Sequence, residues 1–400
     1  MATLGAFLAQ HRATVERTRG NATAHALAAV ERAEAEPVFG YRAPDVRAAI
    51  EAAALALDKD DRPELKARLM VKLAQQKMVE QDYDSADRAL ARVGELVPTQ
   101  TAIRFLVGVR ACRVAIRRGP EQRTQARDLL LVSAGRLPSL QSDDSIWQHA
   151  TAELAIAMAE GDMHDPEPRP AAYDTLTALV DELGADPAFA DTMFTARQLL
   201  VAYAISVGDD NAAVSNARAL VELATGAAAF TDEVEARLTL AALLSNGDLV
   251  QKQEAAHHAQ RARDRALEHG LSQHYQAALI AQAGVLSDAG KTAGAIDRML
   301  ELARLAADEQ SLPRYVEAVA MMSALYTKSG DVASAFRTVA EANHALSTQL
   351  NKDTTEMFAP ILRLLRDQVG SERLQQIAAD VGRSNQLASE LASRERSDSE

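Results

Sequence analysis

One pattern restricts the fold of this chain more than any other: a helical hairpin written repeatedly, about every 40 residues. Its two clearest copies lie within Gln273–Leu350. In the first, Tyr275, Leu279, Gln282 and Leu286 lead to a turn at Gly290, followed by Ala295, Met299 and Leu302. In the second, Val319, Met322 and Tyr326 lead to Gly330-Asp331, followed by Ala335, Val339 and Ala342. Apolar residues three and four apart mark the buried face of a helix. A fixed period of about 20–50 residues marks units that cannot bury that face alone and stack on their neighbours instead.

The pattern extends towards the N-terminus through the small residue that opens each return helix. These residues are Ala49, Ala86, Ala126, Ala172, Ala213, Ala255, Ala295 and Ala335, with successive spacings of 37, 40, 46, 41, 42, 40 and 40. The long spacing coincides with Asp162–Pro170, which holds Pro166, Pro168 and Pro170. Eight hairpins therefore fit, the first of them degenerate. Gly-Asp pairs at 161, 208, 247 and 330 are expected at turns. There Gly supplies a backbone conformation that other residues avoid, and Asp caps the free amides of the next helix. The Ala-, Leu- and Ile-rich run Val46–Leu57 is expected to be buried on most sides. At the other end, Met357, Ile361, Leu364 and Leu365, then Leu374, Ile377 and Val381, form apolar faces suited to covering the last hairpin. The expected organisation is an N-terminal helical cap with one degenerate repeat over 1–62, a solenoid of about seven hairpins over 63–350, capping helices over 351–392 and a disordered tail over 393–400.

The segment Met321–Phe336, MMSALYTKSGDVASAF, resembles the tetratricopeptide repeat through Met322, Ser323, Tyr326, Gly330 and Ala335. Tyr83, Ala86 and Pro98 match the later part of that signature in an earlier unit. The period near 40 is similar to the long-helix variants found in bacterial regulators and kinesin light chains. The resemblance covers about Pro63–Leu350. It implies an all-α, right-handed α-solenoid whose first helices line a concave groove, and a groove that binds a peptide or a partner protein.

Composition narrows the function classes. The net charge of −13 repels phosphate backbones, so nucleic-acid binding is not expected. No window holds the run of about eighteen apolar residues that spans a membrane, and Met1–Gly20 lacks the apolar centre of a secretion signal. A cytoplasmic location is expected. The single cysteine, Cys112, excludes an internal disulfide and reads as a small packing residue in a helix.

Neither a catalytic nor a metal centre emerges, and no cofactor is expected. His257 and His258 diverge by about 100° on a helix. His269 and His274 flank Gly270 without a Cys or carboxylate at ligand spacing. Asp58–Asp61 lacks the Gly and terminal Glu of a calcium loop and reads as an inter-helix turn. Ala289–Thr292, AGKT, lacks the upstream Gly of a phosphate loop and reads as a hairpin turn.

One helix face stands out. Arg110, Arg113 and Arg117 fall at i, i+3 and i+7, and Arg68, Lys72 and Gln75 take the corresponding positions one hairpin earlier. The resemblance places all six on the concave surface. Two readings follow: a solvated basic face paired with nearby acids, or a basic pocket for an acidic peptide or a C-terminal carboxylate. No acid lies between Ala102 and Gly119, so an acidic partner segment is the expected counter-charge. The favoured function is a non-enzymatic scaffold or adaptor binding a peptide or partner protein in its groove. The alternative is a regulatory or sensor helical-repeat domain that binds a small ligand and relays it to a partner.

Overall fold

The structure, a computed structural model, describes residues 2–38, 43–58, 60–97, 102–136, 145–163, 170–184 and 186–383. The expected tail 393–400 and Pro98, Pro166 and Pro168 lie outside these. Among the described residues there is no β-strand, and the elements are helices joined by short turns. The chain divides into two compact units, in sequence between Leu243 and Leu244.

The first unit runs from α1 (Ala2–Arg17) through the hairpins α2 (Ala22–Ala35) with α3 (Ala43–Leu57), α4 (Pro63–Val79) with α5 (Tyr83–Leu96), and α6 (Ala102–Arg118) with α7 (Pro120–Arg136). It continues with α8 (Ser145–Met163) and α9 (Pro170–Leu183), then α10 (Ala190–Val207) and α11 (Asp210–Gly226), to α12 (Phe230–Leu244). Besides its own return helix, each first helix touches the next first helix, so α2, α4, α6, α8 and α10 form one continuous inner row. Helix α1 reaches the far end of the unit, where it meets α11 and the 3-10 turn Pro187–Phe189.

The second unit holds α13 (Leu249–Glu268), α14 (Ser272–Asp288), α15 (Thr292–Asp308), α16 (Leu312–Lys328), α17 (Val332–Leu350) and α18 (Thr355–Val369), with residues 371–383 again helical. Leu279, Met299, Leu302, Val319, Met322 and Val339 form its core, and Phe358 and Ile361 of α18 close it. The chain is thus an all-α helical-repeat solenoid.

The repeat follows from burial of the small residue. Ala49, Ala86, Ala126, Ala172, Ala213, Ala255, Ala295 and Ala335 are all buried, each on a return helix from α3 to α17. Cys112 is buried beside Ile116 and Leu130, as a packing residue should be. At three of the four Gly-Asp pairs the Asp caps the next helix: Asp209 accepts from Ala212 N, Asp248 from Gln251 N and Asp331 from Ser334 N. Gly208 and Gly330 take φ of +75° and +84° there, which Cβ-bearing residues disfavour. The AGKT segment is likewise a hairpin turn, with Gly290 at φ +72°.

Three expectations fail. Gly161-Asp162 is not a turn but lies inside α8. A Cβ on Gly161 would stand 3.1 Å from Arg127 Cγ and 3.5 Å from Ile116 Cδ1, so Gly here permits close approach of α8 to α6 and α7. Asp162 accepts from Arg127 at 2.6 Å instead of capping a helix. Val46–Leu57 is buried on one face only: Val46, Ala49, Ile50, Ala53 and Leu57 are inside, whereas Leu55 is 78% exposed. A return helix on the outside of a two-layer array keeps one face in solvent, and an Ala-rich composition does not reveal which. On α18, Ile361 and Leu365 are buried but Leu364 is 64% exposed, one step around the helix from the contact face.

Candidate functional site

The inner row of the first unit brings four of the six basic-face residues to one place. Arg68, Lys72 and Gln75 lie at i, i+4 and i+7 on α4, on the face directed to α6 and α2. With Arg110 of α6 they line a chamber of about 130 Å³, completed by His149 of α8 and Asp191 of α10. Val71, Ile103, Leu106 and Ile146 form its apolar wall. Across it, the Asp191 carboxylate accepts from Gln75 Nε2 and, at 3.2 Å, from Val38 N, joining α10 to α4 and to the end of α2.

Arg113 and Arg117 stand outside the chamber, and neither is free. Arg113 Nη1 donates to Glu153 at 2.7 Å and Arg113 Nε to Glu160 at 2.9 Å. Arg117 Nε donates to Glu160 at 2.6 Å. Arg68 is paired as well, through a two-pronged contact to Glu34 at 2.8 and 2.5 Å. The expectation that these arginines await an acidic partner loses its premise, because the protein supplies the carboxylates itself. The other reading, a solvated basic face paired with nearby acids, holds for the pairing but not for the solvation, since Arg110 and Arg113 are only 7% and 6% exposed. The counter-charges come from neighbouring first helices: Glu153 lies 40 residues after Arg113 and Glu34 lies 34 before Arg68. A search one period away would have found them; a search along α6 alone could not.

Electrostatics separate the members of this cluster. Burial pushes the Glu153 carboxyl up, but Arg113 and Arg110 more than offset this and hold it at about 2. Glu160 is lowered in the same way, against its burial, by Arg113 and Arg117. Arg110 behaves differently from Arg113. Its Nη2 is 3.6 Å from Glu153, its Nη1 donates to the Val71 carbonyl at 2.7 Å, and its buried Nε has no partner. Burial therefore lowers its pKa, with Glu153 compensating in part. Lys72 is 4% exposed and its Nζ reaches only the Glu34 carbonyl, at 3.3 Å. Burial lowers its pKa, and Asp191 acts on it only through the longer-range field. Burial also lowers the pKa of His149, whose ring stacks on Phe189 with centroids 4.3 Å apart. The chamber thus presents two incompletely satisfied cationic side chains, a neutral imidazole and an apolar wall. That combination can select a polar ligand by charge and shape.

Sequence reasoning missed Glu34, His149, Glu153 and Asp191, which sit on three helices, α2, α8 and α10, far apart in the chain. Among the described residues no helix is long and apolar enough to cross a membrane.

No family model and no curated protein sequence matches the chain. Solved structures do resemble it. One is a Signal Transduction ATPase with Numerous Domains (STAND) protein with a tetratricopeptide repeat sensor, from Pyrococcus horikoshii, with 12% identity and a TM-score of 0.55. The match covers 84% of this chain and 54% of that one, so the chain spans about half the length of that protein. Another is a Rap protein complexed with Competence and Sporulation Factor, with 13% identity, a TM-score of 0.45, and coverage of 86% of this chain and 95% of that one. The first likeness supports a tetratricopeptide-like helical-repeat fold.

Proposed function

We propose that this chain is a non-enzymatic helical-repeat binding protein, a scaffold or adaptor that receives a peptide or partner protein along the inner row of its first unit. The observation that carries this reading is the convergence of polar side chains from α2, α4, α6, α8 and α10 on one chamber. Within that row Lys72, Gln75 and Arg110, with Arg68 beside them, are the proposed contact residues. Arg113 and Arg117 act one step back, holding α6 against α8. Because Arg68, Arg113 and Arg117 are already paired, the proposal specifies no acidic partner. The test compares mass-spectrometric pull-downs from a lysate of the source organism, using wild type and the double variant Arg68→Ala/Gln75→Ala as baits. A protein captured by wild type and lost with the variant, at unchanged circular dichroism, is expected. Identical captures by the two baits would refute the assignment to this row.

A second reading, a regulatory or sensor domain taking a small ligand, is favoured by one specific feature. The Gln75–Asp191–Val38 bonds close the inner row across the chamber, which suits a compact ligand better than an extended chain.

A further inference from the structure

The charge inventory around the chamber does not balance. Arg68, Lys72, Arg110, Arg113 and Arg117 are five cations, whereas the carboxylates that bond to them or to the chamber lining are four, Glu34, Glu153, Glu160 and Asp191; Glu31 and Glu64 act on Arg68 only at longer range. His149 is neutral. The next acid whose field reaches Lys72, Glu36, is already held by Arg12 at 2.9 Å. Of the five cations, three have a carboxylate within 3 Å. The other two line the chamber from adjacent helices without one: Lys72 has no carboxylate in hydrogen-bond range, and Arg110 has only a longer contact to Glu153, at 3.6 Å. Lys72 has two N–H groups left after its single bond to the Glu34 carbonyl, and Arg110 Nη2 is held only loosely, 3.6 Å from Glu153. A buried ammonium without a paired anion is costly, which is why burial lowers the Lys72 pKa, and a bound anion would offset that cost. Asp191 acts on Lys72 only through the longer-range field, its hydrogen bonds going to Gln75 and Val38 N.

We propose that the chamber is a site for a small organic monocarboxylate, its carboxylate held between Lys72 and Arg110 and a compact aliphatic body resting on Val71, Ile103, Leu106 and Ile146. This rests on the small-ligand reading above and is independent of whether a protein also docks. One negative charge matches the single uncompensated positive charge. A doubly charged oxoanion would overshoot it and leave the apolar wall without a partner. The volume sets the size: a closed cavity of about 150 Å³ accommodates benzene, so a chamber of about 130 Å³ that is open on one side takes a ligand of about six or seven heavy atoms. A short branched acid has that size and shape.

The experiment is calorimetric titration of the full chain with 3-methylbutanoate, its neutral analogue 3-methylbutan-1-ol, and inorganic phosphate, repeated with Lys72→Met and Lys72→Gln. The acid is expected to bind wild type saturably and to raise its melting temperature. Both variants should bind it at least tenfold more weakly, and the alcohol should bind none of the three detectably. Lys72→Met should melt higher than wild type without ligand, because it removes an unpaired buried charge. Lys72→Gln keeps a polar head without the charge and covers the case in which the methionine variant does not fold. Equal affinity of wild type and both variants for the acid would overturn the assignment. Equal binding of the alcohol by all three proteins would overturn it too, while sparing the small-ligand chamber. Tighter binding of phosphate than of the acid would overturn the carboxylate class, and no binding of any probe would overturn both the class and the chamber reading. A peptide with a free C-terminal carboxylate that binds at least tenfold tighter than the acid would also overturn it, and return the chamber to the protein-partner reading.

Discussion

Replacing Arg113 with Met tests whether the buried ion network holds the inner row together. Among the described residues Arg113 is the only side chain that bonds both Glu153 and Glu160, whose side chains are 5% and 7% exposed. Without it, Glu153 keeps only Arg110 at 3.6 Å, and Glu160 keeps only Arg117. Removing one partner of a buried pair costs about 3–5 kcal/mol, because the remaining charge stays desolvated. The chain has one tryptophan, Trp147, on α8 and packed on Phe105 with ring centroids 5.7 Å apart, so its fluorescence follows the first unit alone. In urea, with a slope near 3 kcal/mol per molar for a unit of this size, the midpoint should fall by about 1–1.7 M. Adding Glu153→Gln and Glu160→Gln to Arg113→Met removes the stranded charges and should recover part of the loss. A single-variant midpoint within about 0.3 M of wild type would refute the role of the network. A triple variant no better than the single one would show that packing, not charge, is what Arg113 provides.

Three more outcomes are expected. Glu153 and Glu160 have folded-state pKa values below their unfolded ones, so their contribution is complete above about pH 4.5 and is lost as the pH falls towards 2; urea midpoints read from Trp147 at pH 7, 5, 4 and 3 should show this fall only below about 4.5. Gly208→Ala should cost the first unit about 1–2 kcal/mol by urea unfolding, from its φ of +75° alone, since a Cβ there meets nothing within 4 Å. Phe358→Ala should cost about 3–5 kcal/mol by emptying a fully buried site, and hydrogen exchange should quicken in α16 and α17 while α6 is unchanged.

The architecture was legible because it depends on a repeated local pattern. Small residues at a spacing near 40 predict return helices, and all eight are buried on such helices. Local signals misled where a residue type serves two purposes. Gly161-Asp162 has the composition of a turn, yet here the Gly admits Arg127 and Ile116 and the Asp pairs with Arg127. The candidate site was half legible. Periodicity placed Arg68, Lys72, Gln75 and Arg110 on one row, and the structure gathers them at one chamber. What periodicity along a single helix could not supply is the identity of the facing groups. Glu153 and Glu34 are about one repeat away and follow from the period once adjacent hairpins are compared. Asp191 lies 116 residues from Gln75, beyond any nearest-neighbour rule.

That last distance has a consequence for how the chain is made. Nearly every link in an array of hairpins can form as soon as the next hairpin exists. In the second unit the hydrogen bonds from Gln276 to Glu309 and from Lys328 to Asp288 are of that kind, 33 and 40 residues apart. The first unit contains links of another kind: Val38 waits for Asp191, 153 residues later, and α1 waits for α11. A chain emerging from the ribosome would carry an open row of helices, with Lys72 and Arg110 in water, until α10 had been synthesised. Chamber and buried charges would then form together in one late closing step, whose loop-closure entropy is offset only when the ends meet. Truncation anywhere before α10 therefore removes the site as a whole, however well the individual hairpins fold.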